Sequence, residues 1–168
     1  IYLVAMKSKQ KIRRCFLIGP MKDLKRMERL REKLLVPLLR PSGFTVTTPD
    51  QGNIGNIMQH VLLNLEQADL LVVDITGQNP NVMYELGIYH CFGKPYIILK
   101  DSSRKEDMTQ LPFDIAHYWY DLIDYDNIEE AKKSVGKLVK KIMEQIDKRD
   151  WFGNPVTDFY DSPVAEIP

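Results

Sequence analysis

The stretch Leu70-Leu71-Val72-Val73-Asp74-Ile75-Thr76-Gly77-Gln78-Asn79-Pro80-Asn81-Val82-Met83-Tyr84-Glu85-Leu86-Gly87, running on to Tyr96-Ile97-Ile98-Leu99, decides the fold. Leu70 to Val73 is apolar without alternation. Such a run reads as a strand covered on both faces, the habit of parallel sheets. Asn79 can cap a helix and Pro80 suits its first position. That helix is expected to reach about Phe92 and stop at Gly93. Tyr96 to Leu99 is a second unalternated apolar run. Strand, helix and strand at this spacing form a right-handed parallel βαβ unit.

The same alternation extends in both directions. Cys15 to Ile18 reads as a buried strand ended by Gly19-Pro20. A helix follows, with Leu24, Met27, Leu30, Leu34 and Leu38 at spacings of three and four. Pro37 is expected to kink it or end it near Val36. Phe44 to Thr47 is a strand, and residues 53–67 a helix with Ile54, Met58, Val61 and Leu65 on one side. A polar loop over 101–111 and a turn over 112–116 lead to a fifth strand, Tyr118 to Ile123. A last helix is expected over 127–147. The expected fold is an α/β flavodoxin-like three-layer sandwich, its five-stranded parallel sheet ordered 2-1-3-4-5. Residues 1–12 read as an N-terminal extension, 13–148 as the α/β domain and 149–168 as an extended tail. Trp151, Phe152, Phe159 and Tyr160 give that tail reason to dock, on its own domain or on a partner.

Composition narrows the function classes. The chain has 168 residues, with 44% apolar and 27% charged residues, ordinary values for one globular domain. Lys plus Arg and Asp plus Glu both number 23, which argues against a nucleic-acid partner. The charge is uneven: residues 7–40 carry twelve Lys or Arg against three Asp or Glu. That run reads as a solvated helix face, or as an anion-attracting surface. No apolar run is long enough to cross a membrane, and no signal peptide is evident. Cys15 and Cys91 lack metal spacing, so a reduced, cytoplasmic chain is expected. His60, His90 and His117 have no ligand spacing either, so no metal is expected. The start at Ile1 is compatible with a piece of a longer protein and an attached domain.

In an open sheet of this order, ligands bind beyond the carboxyl ends of the strands, where the strand order reverses. That point lies between the first and third strands. Gly19-Pro20-Met21 and the loop from Asp74 to Asn81 converge there. Gly19 permits close approach of a ligand to the backbone. Asp74 closes a buried strand, and Thr76, Asn79 and Asn81 follow it. Asn81 precedes Glu85 by four residues, so both fall on one side of the helix. The bland reading makes Glu85 an exposed helix residue and Asp74 a loop cap. The sharper reading makes them catalytic. Breaking an N-glycosidic bond builds positive charge on the sugar, which a carboxylate can stabilise or attack. Backbone N–H groups at the helix start can hold a phosphate or hydroxyl. Gly52 and Gly55, with Asn53 and Asn56, either line the same cleft or form a plain loop. The chain has no GxGxxG, P-loop Lys or HExxH, and no cofactor is expected.

Cys15 to Met21 (CFLIGPM), Ala68 to Thr76 (ADLLVVDIT) and Asn79 to Pro95 (NPNVMYELGIYHCFGKP) resemble the nucleoside 2-deoxyribosyltransferase-like superfamily, over about residues 13–145. Within it the chain is most similar to predicted nucleotide-binding proteins with a TIR-like fold. The resemblance implies a nucleoside, nucleotide or NAD as ligand. It implies a homo-oligomer in which a neighbouring subunit completes the site. The catalytic Glu of the transferases matches Glu85, as does that of TIR-domain NAD hydrolases. The chain departs from the transferase pattern at Phe16, where they carry Tyr, and at Asn79, where they carry Asp. Their Gly-Thr pair is Pro80-Asn81 here. An Asn is neither acid nor base, which keeps open a nucleotide-sensing TIR-like module without turnover and a scaffold that uses the fold only for protein contacts, beside the alternative that the resemblance implies, an NAD hydrolase in a defence or stress-signalling protein.

Overall fold

The computed structural model describes residues 12–49, 57–103, 111–112, 114–118, 120–148 and 153–160. Strands β1 (Arg13–Ile18), β2 (Phe44–Thr47), β3 (Leu70–Asp74), β4 (Tyr96–Asp101) and β5 (Tyr120–Ile123) form one sheet. Its order is β2-β1-β3-β4-β5 and every neighbouring pair is parallel. This is the architecture expected from the alternation of elements. Register places Cys15 beside Leu70 and Leu71 beside Tyr96.

Strand side chains alternate between two faces, and two cores follow from that. Cys15, Leu17, Leu70, Val72, Ile97 and Leu99 pack under α1 (Leu24–Arg29), α2 (Val36–Leu39) and α5 (Ile128–Lys148). Phe16, Ile18, Leu71, Val73, Tyr96 and Ile98 pack under α3 (Ile57–Gln67) and α4 (Pro80–His90). All five residues of β3 are buried, as a strand covered on both faces requires.

Two expectations need correction. Of the two outcomes expected of Pro37, a kink or an end near Val36, the end does not occur: helix continues through it to Leu39. A π turn over Leu30–Leu35 precedes it, and the Val36 N–H donates to the Arg31 carbonyl, five residues back. The ladder is thus re-phased before the proline, and Pro37 falls in the first turn of α2, where no donor is needed. The tail is not extended over its described part either. Residues Pro155–Tyr160 form α6, opened by Asn154. The Asn154 carboxamide oxygen accepts from Val156 N at 2.9 Å and Thr157 N at 3.0 Å. Its Nδ2 donates to the His90 carbonyl at 3.2 Å, and the residue is fully buried. The tail therefore docks on its own domain. It does so near the amino end of β4, where Tyr96 donates to the Gly153 carbonyl at 3.2 Å. Trp151, Phe152 and the 53–56 helix start lie outside the described residues, as do Gly52, Gly55, Asn53 and Asn56 within or beside it.

Smaller boundary shifts are local. The fifth strand begins at Tyr120 rather than Tyr118, whose hydroxyl donates to Asp158 at 2.7 Å. The last helix spans Ile128–Lys148, with Asn127 Oδ1 accepting from Glu130 N at 3.3 Å.

Candidate functional site

The β1 and β3 loops meet at the carboxyl edge of the sheet, as the topology demands. A Cβ on Gly19 would lie 3.0 Å from the Asp74 Cβ and 2.6 Å from Met27 Sδ. Gly19 is bare because β3 and α1 press on it. Pro20 and Met21 beside it are half-buried.

After β3 the chain turns sharply. Gly77 has φ 71° and Gln78 φ 47°, two successive left-handed residues. A left-handed turn is free for glycine and mildly strained for glutamine. It brings Asn79 into capping position, where its side chain accepts from Asn81 N at 2.9 Å. Asn79 and Pro80 therefore open α4 as their residue types direct. Thr76 is buried: its N–H donates to Asp74 at 3.0 Å and its Oγ1 accepts from Asp101 N at 2.9 Å. It ties the ends of β3 and β4 together.

Asp74 is wholly buried. Its carboxylate accepts from Arg26 at 2.7 Å, and Arg26 stands 3.9 Å from Asp101. The Arg26 guanidinium lies over the Tyr125 ring at 4.3 Å. Burial pushes the Asp74 carboxyl up, while Arg26 and the Thr76 N–H pull against that shift. Burial is the largest single influence on Arg26 and works to lower it, but Asp74, Tyr125 and Asp101 together outweigh it and the net direction is up. This ionic cluster joins α1, β3, β4 and the segment before α5. Sequence reading had given Arg26, Asp101 and Tyr125 no role. The available signal was period two: Asp74 and Asp101 continue the faces of Val72 and Leu99, which α1 and α5 cover.

Glu85 belongs to the other layer. It stands on α4, whose Val82, Leu86 and Tyr89 pack on the opposite face of the sheet. The two carboxylates singled out in the sequence are thus placed in different layers. Glu85 is half-buried, and among the described residues it makes no hydrogen bond or ion pair. Burial raises its carboxyl above the ordinary range. Asn81 and Tyr84 beside it are exposed, Tyr84 by 61%. The arrangement offers an ionisable, unengaged carboxylate on the first helix after the switch point.

Among the described residues no three His, Cys, Asp or Glu side chains gather as metal ligands, and no helix is long and apolar enough to cross a membrane. His90 is buried against Tyr96 with ring centroids 4.8 Å apart.

No family model and no curated protein matches the chain. Solved structures do. A 2-desoxiribosyltransferase from Leishmania mexicana is similar at a TM-score of 0.50 and 14% identity, over 74% of this chain and 97% of that one. The CMP N-glycosidase BcmB of Clostridium botulinum gives a TM-score of 0.49 and 21% identity, over 73% and 98%. At such identities the likeness is one of fold. The deoxyribosyltransferase-like fold implied by residues 13–145 is the fold observed.

Proposed function

We propose that the chain binds a nucleoside or nucleotide at the carboxyl edge of its sheet and cleaves or transfers its N-glycosidic bond through Glu85. The observation that carries this reading is the half-buried Glu85 carboxylate, unengaged among the described residues, on the helix that leaves the switch point. The fold it shares with a deoxyribosyltransferase supports it. In the step envisaged, the bond between sugar C1′ and the base nitrogen breaks. Its electron pair leaves with the base, which takes a proton from water. The Glu85 carboxylate stabilises the oxocarbenium-like sugar or closes on C1′ as an ester. Water or a second base then takes the sugar and returns the carboxylate. Glu85 acts ionised, so the rate should rise with pH through its raised pKa and then level off. Exposed Asn81 and Tyr84 leave this side of α4 open to a second copy of the chain, which the reading includes.

A second reading has its own support. The Asn79 side chain is spent on the helix cap, and Asp74 is held by Arg26 in the other layer. Neither group is disposed to move protons near Glu85. A nucleotide-binding module without turnover accommodates that. Chromatography of free base released from a panel of nucleosides, nucleotides and NAD separates the two. Release supports the enzyme and names its substrate, while saturable binding without release supports the module.

A further inference from the structure

Helix α5 lies in the layer opposite Glu85, and its solvent side carries charge in an order that folding does not require. Ala131, Val135, Val139 and Ile142 are buried in the core beneath it. Lys133, Lys137, Lys140 and Lys141 are all exposed, at spacings of four, three and one. They form a row on the outer face, about 12 Å from first to last at a helical rise of about 1.5 Å per residue. Exposed carboxylates close the row at both ends, Glu129 and Glu130 before it and Glu144 after it. We propose that this face of α5 docks an acidic helical segment of a protein partner, whose carboxylates recur every three or four residues over about 12 Å between basic flanks.

Three observations point to that partner. The row works against its own helix. Lys137 is four residues from both Lys133 and Lys141, and like charges at that spacing weaken a helix. A helix face that is merely solvated alternates its charges, but residues 132–141 hold five Lys and no Asp or Glu. Lys132 pairs with Glu129 at 2.6 Å, whereas Lys133, Lys137 and Lys140 form no ion pair among the described residues. Next, the other layer has nothing of the kind, since α3 and α4 hold no Lys or Arg. A chain of zero net charge thus presents one cationic side, which orients an acidic partner on approach. Finally, the ends of the row bound what it accepts. A nucleic-acid strand or an anionic bilayer is negative along its whole extent and would meet Glu129, Glu130 and Glu144. Helix α5 has no Arg and no aromatic residue for bases, and its apolar stripe is turned into the core instead of toward lipid. A second copy packed through the same row would set lysine against lysine. The inference does not depend on the Glu85 chemistry, because α4 and α5 cover opposite faces of the sheet.

Fluorescence anisotropy of the whole chain with two labelled, alanine-based helical peptides tests it. The first peptide carries Glu at spacings of three and four in its middle and Lys at both ends. The second has the same composition with the two exchanged. In about 50 mM salt the first is expected to bind at least about tenfold more tightly than the second, and to lose that advantage in about 0.5 M salt. Equal binding of the two peptides, or absence of binding, overturns the proposal. Lys137→Glu should weaken the first peptide at least about tenfold, and unchanged binding in that variant overturns the proposal. The same substitution turns two like-charge pairs into opposite-charge pairs, so its Tm should match or exceed the parent's. A lower Tm would show that the row serves the fold, and overturns the proposal too. Glu85→Gln should leave peptide binding unchanged, and a loss there moves the peptide to α4. Oligothymidylate, or vesicles of phosphatidylserine and phosphatidylcholine, overturn the proposal if they bind more tightly than the first peptide and are released by Lys137→Glu. That result would assign the row to a nucleic acid or a membrane.

Discussion

Replacing Arg26 by Met strips a wholly buried carboxylate of its nearest counter-charge. Asp74 has no exposed surface, and the Arg26 side chain is only 11% exposed. Breaking a buried pair from one side costs about 3–5 kcal/mol, because the remaining charge is left uncompensated. Loss of the stack on Tyr125 adds about 1 kcal/mol, and the apolar stem of Met returns part of that. We therefore expect a loss near 4 kcal/mol at pH 7, or about 10 °C in Tm for a domain of this size. The pH dependence identifies the cause. Without Arg26, burial acts on Asp74 opposed only by its hydrogen bonds with Thr76 and Tyr125, and its folded pKa rises further above the unfolded value near 3.8. A raised carboxyl contributes stability below the unfolded pKa and loses it as pH rises through the folded one. The deficit against the parent should thus be largest at pH 7 and shrink toward pH 4. Urea unfolding followed by circular dichroism at pH 7 and pH 5 reads both quantities. Arg26→Met with Asp74→Asn should recover most of the loss. A deficit under about 1 kcal/mol, or one equal at both pH values, would refute the argument that this pair holds the edge together.

Other consequences follow from the same packing. Gly19→Ala drives a methyl toward Met27 Sδ at 2.6 Å and Asp74 Cβ at 3.0 Å. It should cost about 1–3 kcal/mol by overpacking, less in a Met27→Ala background, as read by thermal melting. Asn154→Ala removes both the cap of α6 and the bond to the His90 carbonyl. A loss of about 1–2 kcal/mol and earlier proteolytic cleavage near residue 154 are expected. His90 is buried and lowered to about 4, so it stays neutral in the fold. Its stabilising contribution is complete above pH 6.5 and fades as pH falls toward 4, and His90→Gln should flatten that slope in urea titrations.

The sheet was legible because its strands are short unalternated apolar runs separated by amphipathic ones. Leu70 to Val73 and Tyr96 to Leu99 need no partner in sequence to declare themselves. The cap at Asn79-Pro80 was equally plain. The same Asn-Pro opening at residues 154–155 announced α6, but the aromatic residues around it drew the reading toward an extended strap. Pro37 misled for a different reason. A proline breaks an α ladder only if the ladder arrives in α phase, and the π turn at Leu30–Leu35 changes the phase. At the site, the convergence of Gly19 and Asp74 followed from strand order alone. Which layer Asp74 faces did not, although counting by twos from Val72 would have given it. Its partner Arg26 lies 48 residues away, and their meeting depends on which helix covers which face. Glu85 was singled out because helix spacing and strand order act together at that position.

The central claim rests on the Glu85 carboxylate, and one comparison tests it most directly. Base release is followed by chromatography for the parent and for Glu85→Ala on the nucleoside or nucleotide the parent turns over, with substrate binding measured alongside. The account predicts a loss of at least ~100-fold in rate with binding retained, the signature of a group that acts on the transition state. A parent rate preserved in Glu85→Ala would contradict it and send the chemistry elsewhere on the sheet edge.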